Sequence, residues 1–468
     1  MSVDPLSGSM ADYVSAEGPN LLERIQPFFK WQESRRRVGL WPYSKAIHAA
    51  PRTHCTISDD SGIQHTGLNF ASQDYLSLSS HPKIQHAAIS AINTFGVHSA
   101  GSGALLGNTS LSVRLEKAVG DKLQMNHVVL YPTGWGAGFG VIRGMVRSHD
   151  HVVMDSLSHA CLQAGAMASV PKVRKFRHND AEHLAHVLGR HRLCNAENAI
   201  LVVTEGLFSM DSDSPDISKT QAICRNYDAT LVVDVAHDFG CLGPGGTGMI
   251  GAQGMLGKVD LVMGSFSKTF ATNGGFVATN SRAVSEYLRF YSSPTTFSNA
   301  LSPSQAAVVL EALRIIDSPE GEDRRRRLMN AIMKLRTELL NHGISANGIP
   351  SPIVPIISGR EDLSRIAARN LLGAGCLANL VEFPAVKKGA ARFRFQVQSD
   401  HTDEDASQAA RSLAEALAAA KASLSVSMVE EARGRVVEFS VPDEDFTLSK
   451  PVLPTWADSY TAGCKILG

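Results

Sequence analysis

Between about residues 85 and 335, short apolar runs alternate with stretches of helical pattern. Val128-Val129-Leu130, Val152-Val153-Met154, Ile200-Leu201-Val202-Val203, Leu231-Val232-Val233 and Leu261-Val262-Met263 read as strands. Strands separated by helices make stacked βαβ units, so the pattern predicts an α/β fold with a mainly parallel central sheet. Upstream, a helical pattern runs from Leu21 to Arg37 and stops before Gly39 and the Trp41-Pro42-Tyr43 turn. From about residue 336 the pattern becomes mixed: a helix, a strand region at Pro350 to Ser358, a helix from Asp362, a strand at Arg392 to Gln398 and a long Ala-rich helix from Asp403. That order predicts a smaller C-terminal α+β domain. The division expected is 1–84 as a leader and N-terminal arm, 85–335 as the large domain, 336–435 as the small domain and 436–468 as a tail without a motif. Residues 1–20, rich in Ser, Gly and Asp, have the composition of disorder.

Each apolar run ends in polar or small residues: Thr133-Gly134-Trp135, Asp155 to His159, Glu205 to Asp211, Asp234 to His237, and Ser265 to Lys268. Parallel strands joined by right-handed crossovers present their carboxyl ends on one side, where open α/β sheets bind ligands. A lysine between serines is ordinarily a solvated loop residue. Lys268, however, closes a buried run, and the other ends converge on it. An aldehyde cofactor such as pyridoxal phosphate (PLP) needs an amine for its Schiff base, a carboxylate at the pyridinium nitrogen and donors for its phosphate. Lys268, Asp234 and Ser265 can supply these, and backbone N–H groups of Gly134 and Trp135 in a turn entering a helix make an anion site. Gly243-Pro244-Gly245-Gly246-Thr247-Gly248 lacks the following Gly-Lys-Ser/Thr of a phosphate loop and reads as a flexible turn.

Composition narrows the classes. The 468 residues are 44% hydrophobic and 19% charged, ordinary for a globular protein. Lys plus Arg and Asp plus Glu both total 45, so no net field favours nucleic acid or an anionic membrane. Arg324-Arg325-Arg326-Arg327 follows Glu320, Glu322 and Asp323 in a helical pattern, a solvated helix face. Seven scattered cysteines without a Cys-x-x-Cys pair fit a reducing compartment, and no metal site is indicated. No secretory h-region and no membrane-length apolar run is present, so a soluble cytoplasmic protein without a transmembrane segment is the expectation.

Taken together the motifs resemble the α-oxoamine synthases, fold-type I PLP enzymes, over roughly residues 25 to 420. The resemblance implies that Lys268 of Gly264-Ser265-Phe266-Ser267-Lys268 carries the cofactor. It places Asp234 at the pyridine nitrogen and His237 at the phenolic oxygen, within Asp234-Val235-Ala236-His237, where Val235 stands for the family's glutamate. His159 of Ser158-His159-Ala160 is implied to stack on the ring. Ser209 of Glu205-Gly206-Leu207-Phe208-Ser209-Met210-Asp211 is implied to lie near the phenolic oxygen, and Thr133, Gly134, Trp135 and Ser265 at the phosphate. Arg394, seven residues before His401-Thr402, is similar to the family's arginine for the substrate carboxylate, with Arg392 as the nearby competitor. Ser298 of Phe297-Ser298-Asn299-Ala300-Leu301 is implied to reach a neighbouring subunit's phosphate. Three positions depart from the family pattern: Gln73 replaces a substrate-placing asparagine, Gly103 an arginine and Gly138 an asparagine.

The resemblance implies a PLP-dependent acyltransferase that joins a small α-amino acid to an acyl thioester of coenzyme A or a carrier protein. The products are an α-amino ketone, CO2 and free thiol. Lys268 acts as the base and His159 helps to polarise the thioester carbonyl. It also implies a homodimer with interfacial sites. Transamination or aldol cleavage on the same fold, or a partner subunit without catalysis, are the alternatives; Lys268 and Asp234 both being present argues against the last.

Overall fold

The structure, a computed structural model, describes residues 4–434, with side chains to residue 425. The tail expected at 436–468 lies outside the described residues. In chain order the strands are β1 (Ala46–Ile47), β2 (His54–Ser58), β3 (Gln64–Phe70), β4 (His127–Tyr131), β5 (His151–Asp155), β6 (Arg174–Phe176), β7 (Ile200–Glu205), β8 (Thr230–Asp234), β9 (Leu261–Ser265), β10 (Gly275–Thr279), β11 (Ile353–Gly359), β12 (Cys376–Val381) and β13 (Ala391–Gln396).

β4 to β10 form one sheet in the order β4-β10-β9-β8-β7-β5-β6. Only β10 runs against its neighbours. Its connection from β9 is residues 266–274, too short for the crossover that a parallel neighbour needs. The central strands are apolar on both faces because both are covered. Val202, Val233 and Val262 belong to one buried cluster, whereas Leu201, Val203, Val232, Leu261 and Met263 belong to another across the sheet.

The second sheet, in the order β1-β2-β3-β12-β13-β11, changes the expected division. β3 pairs in parallel with β12, so residues 46–70, expected in an N-terminal arm, complete the C-terminal sheet. The leader is likewise docked. Trp31 Nε1 donates to the Ser7 carbonyl at 3.0 Å, and the Arg365 guanidinium donates to the carbonyls of Leu6 (2.6 Å) and Gly8 (2.7 Å). Composition suggested disorder because these residues have few apolar side chains; what orders them is their backbone, which supplies acceptors to a buried arginine. The expected helix at 21–37 begins at Gln26 instead, with Pro27 in its first turn.

Two further expectations are corrected. In the helix Pro319–Asn341, Arg324 donates to the Leu76 carbonyl, Arg325 to that of Ile316 and Arg327 to that of Ser399. These side chains therefore fasten loops and do not simply face solvent. The glycine-rich turn at 243–248 is packed: Gly246 and Gly248 are buried at positive φ, and a Cβ on Gly248 would lie 2.6 Å from Asp238 Oδ2.

Candidate active site

The carboxyl ends of β4, β5, β7, β8 and β9 open on one side of the large sheet. Asp234 closes β8 and is buried, its Oδ1 accepting the Ala236 N–H at 2.9 Å. Burial raises its pKa, while the nearby His159 and Lys268 oppose that rise. Lys268 stands three residues beyond β9, partly exposed to the cleft. Burial pulls its amine below the usual lysine range; Asp234 opposes this and Arg394 reinforces it. The two groups thus perturb each other's titration.

His159 follows β5 and precedes the helix Ala160–Met167, its backbone N–H donating to Glu205 Oε1 at 2.6 Å. Dehydration in the cleft lowers its pKa, Asp234 acts in the opposite sense, and Lys268 and Arg394 lower it further. Glu205, at the end of β7, sits in register with Asp234, and burial together with that neighbour's charge raises its pKa well above normal. Neither Glu205, which opens the segment Glu205 to Asp211, nor Tyr75, two residues after Gln73, stands out in the sequence. The available signal for Glu205 was a carboxylate closing an otherwise apolar strand.

The residues expected at the phosphate lie close together. Thr133 caps the helix Gly134–Met145, its Oγ1 accepting the Gly136 N–H at 2.9 Å. The amides of the first turn have no partner within the helix and carry its positive end. Ser265 comes so close that a Cβ on Gly134 would lie 2.2 Å from its Oγ. Ser265 Oγ also lies 2.6 Å from Ser267 Oγ. The Trp135 ring is exposed and stacks on Phe139 at 5.3 Å, leaving only its backbone for a phosphate.

Arg392 and Arg394 project from the same face of β13 but have separate tasks. Arg392 is buried and paired with Asp211 Oδ1 at 2.6 Å, which removes it from competition. Arg394 donates to the Ser209 carbonyl at 3.3 Å, has a buried unpartnered Nε, and acts electrostatically on Lys268 and His159. His237 is buried, with Nδ1 2.9 Å from Tyr75 Oη. Gln73, two residues before Tyr75, is half-buried. Ser298 is exposed, on a loop whose Asn299 bridges to Ser102.

Of the departures, Gly138 has a local cause. A Cβ there would lie 2.4 Å from Cys161 Sγ, and that sulfur lies 3.0 Å from His159 Nδ1. The cysteine occupies space that a larger residue at 138 would claim. Nothing in the structure explains glycine at 103.

A buried carboxylate, an amine within its field and a capped helix N-terminus without an intervening Cβ fit PLP. The comparisons agree. The family model described as aminotransferase class I and II matches residues 65–413. The serine palmitoyltransferase of Sphingobacterium spiritivorum is 32% identical over 390 residues, 83% of this chain and 94% of that protein. The 8-amino-7-oxononanoate synthase of Klebsiella pneumoniae is 34% identical over 338 residues, 72% and 86% of the two chains. The match to 4-hydroxy-2,2'-bipyrrole-5-methanol synthase PigH of Serratia, at 30% identity, covers 86% of this chain but 61% of that longer protein. Among solved structures, the Sphingomonas wittichii serine palmitoyltransferase superposes with a TM-score of 0.79 at 27% identity, over 86% of this chain and 99% of that one. The S. paucimobilis enzyme, solved with a bound PLP–myriocin adduct, matches with a TM-score of 0.79 at 26% identity, over 86% of this chain and 100% of that one.

Fold, site and matches define a PLP-dependent transferase of aminotransferase class I and II, and within that class the chain belongs to the α-oxoamine synthase family. It is a PLP-dependent acyltransferase of the type that condenses an amino acid with an acyl thioester. Among the described residues no helix is long and apolar enough to cross a membrane, and no cluster of side chains suits a metal ion.

Proposed function

We propose that the chain condenses a small α-amino acid with an acyl thioester of coenzyme A or a carrier protein, yielding an α-amino ketone, CO2 and the free thiol. One arrangement supports this reading: Lys268 and His159 both lie within the fields of Asp234 and Arg394, which brings amine, imidazole, carboxylate and guanidinium within electrostatic reach of one another. Bound PLP supplies an electron sink for negative charge at the amino acid's Cα.

The chain's own groups divide the remaining work. Lys268 holds the cofactor and, once displaced, takes the Cα proton at Nζ. Burial lowers the basicity of this amine, which favours the neutral form that accepts the proton. Asp234 pairs with the ring nitrogen, whose positive charge offsets the burial that raises the carboxyl alone. His159 covers the ring face and polarises the thioester carbonyl. His237 and Ser209 serve the phenolic oxygen. Arg394 receives the substrate carboxylate with Gln73 beside it, and Thr133, Gly134, Trp135 and Ser265 hold the phosphate. Over the reaction a C–C bond forms between Cα and the acyl carbon, the C–S bond breaks, the carboxylate leaves as CO2, and Lys268 returns a proton to Cα. The departing thiolate takes one proton from solvent.

The working unit in this reading is a homodimer. Exposed Ser298 adjoins Phe297 (85% exposed), on a loop bridged to the segment that carries Leu106 (90%), an apolar surface suited to a second copy. In that pair Ser298 serves the neighbour's phosphate.

The test combines PLP-loaded protein with glycine, alanine or serine and an acyl-CoA series, following free thiol and labelled CO2. The expected result is equal release of both, abolished in Lys268→Ala together with the visible absorbance of the lysine–cofactor linkage. Formation of a keto acid without thiol release would replace condensation by transamination.

A further inference from the structure

Tyr75, in the segment after β3, reaches His237 and the end of β13. Its Oη lies 2.9 Å from His237 Nδ1 and 3.3 Å from Gln396 Oε1 at the end of β13. Tyr75 and Gln396 are fully enclosed, and His237 nearly so. Gln396 Nε2 is buried without a partner. Burial keeps Tyr75 a neutral phenol. Burial, with Lys268, Arg394 and His159 nearby, keeps His237 a neutral imidazole. One hydroxyl proton and one ring proton must therefore serve the chain of contacts.

Two arrangements are possible. If Tyr75 donates to Gln396 Oε1, His237 must donate from Nδ1, its Nε2 becomes a bare acceptor, and the Gln396 N–H groups stay orphaned. A half-turn of the carboxamide, which leaves its shape unchanged, reverses the chain. Gln396 Nε2 then donates to Tyr75 Oη, Tyr75 donates to His237 Nδ1, and the proton of His237 lies on Nε2. The amide atom left without a partner is then a carbonyl oxygen, which tolerates this better than an N–H does.

We propose that Gln396 and Tyr75 are positioning residues that fix the tautomer of His237, so that its Nε2–H is offered to the anionic ring oxygen of the cofactor. The destination of that N–H rests on the PLP reading above; the tautomer does not. An acceptor at Nε2 would repel that oxygen, so the relay decides whether His237 helps or hinders there.

The experiment uses full-length protein labelled with 15N in its histidine rings. In the cofactor-free wild type, the His237 shifts, assigned with a His237→Asn control, are expected to report a proton on Nε2; Tyr75→Phe and Gln396→Leu are expected to give mixed tautomers. After loading with PLP, the midpoint of the visible absorbance titration is expected to rise by about half to one pH unit in Tyr75→Phe, since the ring oxygen loses a donor worth about one hydrogen bond. A wild-type proton on Nδ1 overturns the proposal, and that result needs no variant to fold. An unchanged tautomer in folded Tyr75→Phe overturns the role of Tyr75. Failure of the wild type to take up PLP would instead sink the functional reading, with the tautomer still measured.

Discussion

Replacing His178 by alanine asks how much charge holds the loop after β7. His178 Nδ1 lies 2.8 Å from Asp155 Oδ1 at the end of β5, and Nε2 lies 2.8 Å from Asp213 Oδ2. Burial disfavours the imidazolium, but hydrogen bonds and charge from both carboxylates push its pKa up to about 10. The ring is 22% exposed, Asp155 fully enclosed at 0% and Asp213 31% exposed, so the inner pair carries most of the energy. Removing one partner of a buried pair costs ~3–5 kcal/mol, and partial exposure reduces this to about 2–3 kcal/mol. Because the folded pKa is raised, the contribution is complete below the unfolded value of about 6.5 and disappears as pH rises through about 10. Urea unfolding of wild type and His178→Ala at pH 6.5 is expected to differ by about 2–3 kcal/mol, narrowing to under about 1 kcal/mol at pH 10.5. Other titrating groups cancel between the two proteins. A gap independent of pH would refute the electrostatic account and leave packing as the cause.

Other perturbations probe separate parts of the molecule. Glu382→Gln removes the carboxylate shared by Arg35 and Arg365, whose side chains are 0% and 1% exposed; a loss of about 3 kcal/mol and early proteolytic cutting within the first 45 residues are expected. Equal protease resistance would show that the arm is held by other contacts. Gly138→Asn forces a side chain against Cys161, with an expected cost of about 1–3 kcal/mol, and adding Cys161→Ala should recover more than half of it in a double-mutant cycle. Additive losses would disprove the coupling. Arg394→Lys, which loses bidentate geometry but keeps charge, is expected to raise KM for the amino acid about tenfold with a smaller change in kcat; unaltered KM would remove Arg394 from the carboxylate site.

Much of the large domain was legible along the chain. The apolar runs at 128–130, 152–154, 200–203, 231–233 and 261–263 all became strands, because residues buried on both faces leave an uninterrupted signal. β6 spans only Arg174–Phe176, and β10 follows β9 without a helix, so neither produced the βαβ rhythm. β12 was missed for a different reason: Cys376–Val381 directly follows a helix, and although its second half pairs with β13, its first half pairs with β3, more than 300 positions away. Local pattern carries no record of such a partner.

The same division runs through the site. Residue order placed Lys268, Asp234, His159 and the turn at Thr133 at or just beyond strand carboxyl ends, where the structure has them, since that position follows from strand direction. Which arginine faces the cleft, why position 138 is glycine, and how Tyr75 and Gln396 meet His237 depended on distances between segments remote in sequence. The leader shows the contrast most plainly: composition described a chain unable to bury apolar side chains, and folding recruited its backbone carbonyls as acceptors for Arg365. Periodicity registers what a residue avoids, which is water. It holds no information about which buried group is waiting to be paired, and only the tertiary structure supplies that partner.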